Sequence, residues 1–265
     1  MPPAIADVLH SETFRAGKAR RLYVLDFGLF EVHGDEKSAS RVIGIPGYLI
    51  EAGDGRRILV DTGFPAAYAE DAEEASLADG LDSFGRVLSL GPENLPGGQL
   101  ALIGLQPEDV NMLVLTHSDI DHVGGIAAFP WATNIIGAAE RALPRPRYFG
   151  EPSPLEWPAG VEYWVVDEDL ALAPGVAILQ SPGHSPGQLS VLVNLPETGM
   201  VLLTGDAISR PAEMEEGFGG AWDEAQAQAS AERLLEIADQ EDAFVIYGHD
   251  PEQWSELRKA PQHYG

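Results

Sequence analysis

No cysteine occurs in the 265 residues, which excludes disulfides, thiolate metal ligands and a cysteine nucleophile. The same absence fits a reducing cytoplasm. Basic residues are scarce: 16 Lys and Arg stand against 42 Asp and Glu, a formal charge of -26. A surface of that sign repels phosphate backbones and anionic headgroups, so neither nucleic acid nor a membrane is an expected partner. No run reaches the ~18 apolar residues of a membrane span. Residues 1–19 hold no long apolar core, so no signal peptide is expected and the cytoplasm is the expected location. What is plentiful is apolar content, 45% of the chain, enough for a large core in one domain.

The densest chemistry lies in Thr116-His117-Ser118-Asp119-Ile120-Asp121-His122-Val123-Gly124-Gly125. The apolar run from Met112 to Leu115 before it reads as a buried strand, and Gly124-Gly125 lets the backbone turn tightly behind it. Imidazole and carboxylate crowded at a strand end suit zinc, iron or manganese.

The rest of the chain is read as scaffold or as a source of further ligands. Arg21 to Val32, Val42 to Glu51 (interrupted by Pro46-Gly47) and Arg57 to Val60 make an opening β-meander, with a hairpin turn at Gly53-Asp54-Gly55. Residues 66–98, Ala/Glu-rich and then punctuated by Gly and Pro, read as a surface excursion that serves as a lid or as the contact of a homodimer. Strands are expected at Asn134 to Gly137, Glu162 to Val166, Val176 to Gln180, Gln188 to Asn194, Met200 to Thr204 and Ala243 to Tyr247. Between the last two, Glu224 to Asp239 is the clearest helix, with Ala227, Ala231, Leu234, Leu235 and Ala238 on one stripe. Strands interleaved with helices, without a linker or repeat, predict one α/β layered domain over residues 1–265.

Of seven histidines, His10, His33 and His263 have no metal-like neighbours. The other four, His117, His122, His184 and His249, each follow an expected strand. His184 sits between two Pro-Gly pairs, and Asp206 follows the apolar run Val201 to Gly205. Each alone reads as a hydrogen-bonded histidine or a turn aspartate. Four histidines and at least two aspartates at strand ends read together as one metal site.

The series His117-x-Asp119-x-Asp121-His122, Pro182-Gly183-His184, Gly205-Asp206, Gly248-His249 resembles the metallo-β-lactamase superfamily. The flanks Gly47 to Ile50, Asp61-Thr62-Gly63-Phe64-Pro65, Leu105 to Val110 and Gly248 to Trp254 are most similar to N-acyl-homoserine lactonases. The resemblance implies an αββα four-layer sandwich with two divalent metal ions at one edge, zinc first. It implies that His117, position 119 and His184 hold one ion, that Asp121, His122 and His249 hold the other, and that Asp206 bridges them. It also implies a metal-dependent hydrolase that opens a small neutral lactone or ester, of quorum-quenching type, with Asp121 carrying the nucleophile's proton to the leaving oxygen. Two positions depart from the pattern. Asp119 stands where the family has histidine: either it ligates and tilts preference towards iron or manganese, or its short arm fails to reach and that site is weak. Ser209 stands where the lactonases have a tyrosine that polarises the substrate carbonyl; a serine hydroxyl donates a hydrogen bond over a shorter reach. The rival readings are another hydrolase of this fold (thioester or phosphodiester), a redox di-iron protein, and a metal-binding relative without activity.

Overall fold

The computed structural model describes residues 5–34, 39–148 and 153–265, and every candidate site residue falls within them. The opening meander forms as expected: β1 (Arg21–Val32), β2 (Arg41–Glu51) and β3 (Arg57–Val60) pair antiparallel in turn. β2, however, is not interrupted at Pro46-Gly47. Pro46 lies opposite Asp26, where β1 bulges, and β3 pairs β2 only from Tyr48 onward, so the missing N–H interrupts no β2–β3 pairing. The Phe27 ring fills the space above Gly47, where a Cβ would come within 2.0 Å of it.

Residues 66–98 leave the sheet as two helices, Ala67–Glu70 and Ala72–Asp79, the second capped by Asp71, whose side chain accepts from the Glu74 N–H. They then return as β4 (Gly85–Ser89), paired antiparallel with the end of β1. This strand is largely exposed and lacks apolar alternation, which is why its pattern is silent in the sequence. β5 (Met112–Leu115), β6 (Thr133–Gly137) and β7 (Tyr163–Val166) continue the sheet in parallel from β3, giving the order β4-β1-β2-β3-β5-β6-β7. A second sheet is built from β8 (Leu170–Ala173), β9 (Val176–Gln180), β10 (Leu189–Leu195), β11 (Gly199–Leu203) and β12 (Phe244–Ile246), in the order β12-β11-β10-β9-β8.

The two sheets pack face to face. Leu22, Val24, Ile50, Ile58 and Val114 of the first meet Val176, Ile178, Val191, Val201 and Ile246 of the second in one buried layer. The outer face of the first sheet is covered by Phe64, Tyr68, Leu100, Ile120 and Phe129. That of the second is covered by Phe14 and the 17-residue helix Glu224–Gln240, through Ala227, Ala231, Leu234 and Ala238 of the expected stripe. Ile237 joins that stripe fully buried and Leu235 only partly, so its centre lies slightly to one side of the expected line. This is the αββα four-layer sandwich.

Strand direction positions the site. β9 runs antiparallel to β10, β10 to β11, and β11 parallel to β12, so β9, β11 and β12 end at one edge. The first sheet joins that edge where the Leu189 N–H donates to the Thr116 carbonyl at 2.7 Å, just past β5. The helix Pro251–Glu256 then docks Trp254 onto β2 at Gly44, where a Cβ would lie 2.1 Å from the indole. Gly44→Ala should therefore lower stability by about 1–3 kcal/mol, the usual range for overpacking, and Trp254→Leu in the same chain should restore most of it. Urea midpoints for the single and double variants check this; an unchanged midpoint in the single variant would contradict the packing argument.

Candidate metal centre

All seven candidate ligands leave strand ends at this edge. His117 follows β5, His184 follows β9, Asp206 follows β11 and His249 follows β12. Asp119 precedes the one-turn helix Ile120–Val123, which carries Asp121 and His122. The loop bearing His184 owes its shape to Gly183, at φ 142°, where a Cβ would meet the Ala227 backbone nitrogen at 2.2 Å.

The side chains form two groups. Asp119 Oδ2 lies 3.5 Å from His117 Nε2 and 3.2 Å from His184 Nε2. Asp121 Oδ2 lies 3.5 Å from His122 Nε2 and 3.7 Å from His249 Nε2. Asp206 stands between them, with Oδ1 3.2 Å from His249 and 3.5 Å from His122, and Oδ2 3.7 Å from His184. Within each group of three the ligand atoms lie within 4.8 Å of one another.

Hydrogen bonds behind the histidines assign their tautomers. His249 Nδ1 donates to the Gly44 carbonyl at 2.9 Å, and His122 Nδ1 donates to Asp61 Oδ2 at 2.8 Å. Thr116 Oγ1 gives its proton to Asp61 Oδ2 at 2.7 Å, so it accepts from His117 Nδ1 at 3.1 Å. In each ring it is Nε2 that faces the centre, where its lone pair becomes available once any proton on it is lost. Glu140, fully buried, clamps the surrounding loops: Oε1 accepts from the Ser118 N–H at 3.0 Å and Oε2 from the Gly187 N–H at 3.1 Å.

The arrangement fits a bound cation. His117 Nε2, Asp119 Oδ1 and Asp206 Oδ1 are buried without a hydrogen-bond partner, a costly state for polar atoms that a metal ion would relieve. The protonation pattern agrees. Burial disfavours charge on His249, but the adjacent Asp206 and then Asp121 lift it to about 9. Burial likewise opposes charge on His122, and Asp121, Asp206 and Asp61 outweigh it, holding the ring well above the usual histidine range. Asp206 and Asp119 are held well below the usual carboxylate range despite burial, the first by His249 and His122, the second by His117, His184 and Arg147.

Ser209 lines the cavity in front of these groups, and its carbonyl accepts from the His249 N–H at 2.8 Å. Tyr148 is the tyrosine that lines it among the described residues, with its hydroxyl donated to the Asp79 carbonyl at 2.9 Å. The cavity is about 290 Å³, with Phe30, Ile43, Phe64, Leu81 and Phe84 on its walls and Arg41, Arg147 and Arg210 among the residues that line it. Sequence reasoning passed over four contributors. Asp61 carries the same signal that picked out Asp206, a carboxylate ending an apolar strand. Glu140 and Arg147 have no local signal, because their partners are distant in sequence, and Thr116 has none because the Asp61 that sets its proton lies 55 positions away.

A family model described as the metallo-beta-lactamase superfamily matches residues 42–249. An N-acyl homoserine lactonase of Bacillus cereus is 33% identical over 230 residues, covering 82% of this chain and 85% of that protein. The N-acyl homoserine lactonase AttM of Agrobacterium fabrum (strain C58) is 33% identical over 184 residues, 63% of this chain and 68% of that one. A solved structure of an N-acyl homoserine lactone hydrolase, with the product N-hexanoyl-L-homoserine at its catalytic metal center, superposes with a TM-score of 0.80 at 28% identity, covering 93% of this chain and 100% of that one.

Two outcomes follow from the geometry. Asp61→Asn should weaken metal binding by about 10–100-fold, the usual cost of losing a carboxylate behind a ligating histidine, while circular dichroism stays native; unchanged metal content would contradict the role of Asp61. In a chelator-treated chain the raised His249 stabilises the fold fully below its ordinary value of 6.5, and that contribution is lost as pH rises through about 9. Calorimetry should show the chain's Tm falling across this window while metal affinity rises, because binding displaces that proton.

Proposed function

The chain belongs to the metallo-beta-lactamase superfamily, and on that premise we propose a metal-dependent hydrolase that opens the ring of an N-acyl homoserine lactone. The observation that carries this reading is the pairing of seven ligand-type side chains with an apolar cavity directly in front of them. His117, Asp119 and His184 would hold one ion, Asp121, His122 and His249 the other, and Asp206 would offer one oxygen to each. Zinc suits the imidazole-rich set, and the oxygen that Asp119 adds widens the choice to iron or manganese. When bound, such ions supply Lewis acidity towards a carbonyl and make water a stronger acid.

The chain's own residues do the rest. Phe30, Ile43, Phe64, Leu81 and Phe84 offer an apolar wall to an acyl arm, with the last two contributed by the 66–98 excursion. Asp121, at the cavity floor and part exposed, takes the proton of the attacking water and returns it to the ring oxygen as the C–O bond breaks. Ser209, three residues beyond Asp206, is within the cavity to donate a hydrogen bond to the substrate. A neutral lactone meets no repulsion from a chain of charge -26, and the lack of cysteine supports the cytoplasm as its location.

A panel of lactones, thioesters and phosphodiesters tests the reading. Acyl homoserine lactones should be the substrates hydrolysed fastest, and His249→Ala or Asp206→Ala should lower metal content and abolish turnover. Preference for a thioester or phosphodiester, or full activity after thorough chelation, would overturn it.

A further inference from the structure

The Arg147 guanidinium lies among the first group of ligands. Its Nη1 is 2.9 Å from Asp119 Oδ2 and 3.0 Å from His184 Nε2. Its place is built, since the Arg147 backbone N–H donates to Ser118 Oγ at 2.8 Å, and Ser118 is in turn held by buried Glu140. Arginine has donors only and keeps its charge at any working pH, so towards Arg147 the His184 Nε2 can act only as acceptor, whereas towards Asp119 Oδ2, 3.2 Å away, it can act only as donor; in either role the guanidinium stands against that nitrogen. That nitrogen has one lone pair, the one a metal ion at this group would need. Asp119 Oδ2 has two and can serve both.

We propose that Arg147 is a built-in competitor for the metal position formed by His117, Asp119 and His184, so that an ion fills it only by displacing the guanidinium from His184. Asp121, His122 and His249 have no such rival: among the described residues no Lys or Arg is paired with any of the three. The chain therefore binds its two ions unequally, tightly at Asp121, His122 and His249 and weakly beside Arg147. The inference rests on the metal-site reading above and is independent of the substrate.

The test equilibrates the 265-residue chain, as purified, against zinc-buffered solutions of graded free zinc and counts ions per chain by mass spectrometry of the metal. The wild type should fill in two separated steps. Arg147→Gln should take up the weaker ion about tenfold or more tightly, the ratio expected from removing a charge-assisted hydrogen bond to the shared atom, while the tighter step stays within about threefold. Arg147→Met, which keeps the apolar stem, serves if the Gln variant does not fold by circular dichroism. Identical two-step curves in wild type and variant would overturn the proposal, as would equal tightening of both steps, which would mark a general field effect of the lost charge. A single ion in every protein would also overturn it. No lactone is present, so failure here is distinct from failure of the lactonase reading, which loss of zinc without loss of turnover in Asp206→Ala would reveal.

Discussion

Asp61 is buried at the end of β3 with φ at 60°, an uncommon backbone state for a residue other than glycine. Its carboxylate accepts from the Thr116 N–H and hydroxyl and from His122 Nδ1. Those bonds join the ends of β3 and β5, turn two histidines towards the centre, and leave a negative charge behind them. A buried carboxylate is tolerated only when such partners surround it. The backbone strain at Asp61 is held by the same bonds that orient the ligands.

The electrostatics of the edge follow from that constraint. Three further aspartates face four imidazoles beside Glu140 and its loops; Asp119 and Asp206 are held well below the usual carboxylate range, and His122 and His249 above the usual histidine range. Water cannot screen these groups well, so an entering dication meets a field already shaped for it. The Arg147 guanidinium, which reaches the same atoms, acts in the opposite sense. A chain with so few basic residues has placed one of them 3.0 Å from a ligand nitrogen.

The cavity in front of the ligands joins the two halves of the functional reading. Its floor is polar and convergent, whereas Phe30, Ile43 and Phe64 make its wall apolar. An acyl lactone has that same division between a polar ring and an apolar arm. Superfamily membership rests on residues 42–249, and the lactonase of Bacillus cereus covers 82% of the chain.

Periodicity and residue type, both local properties, determined most of the strands, the long helix and the reading of four histidines and at least two aspartates as one metal site, while the set of seven ligand candidates came from the family resemblance. β4 and β8 were silent, the first because its exposed pattern carries no alternation and the second because its Leu-Ala-Leu-Ala sequence holds no β-branched or aromatic residue. What the tertiary structure alone decided is pairing at a distance. Asp61 meets His122 across 61 positions, the Gly44 carbonyl meets His249 across 205, and Arg147 meets Asp119 across 28 and His184 across 37. A hydrogen bond depends on position in space to a few tenths of an ångström, and no local pattern along the chain records which distant atoms the packing of two sheets will bring to that distance.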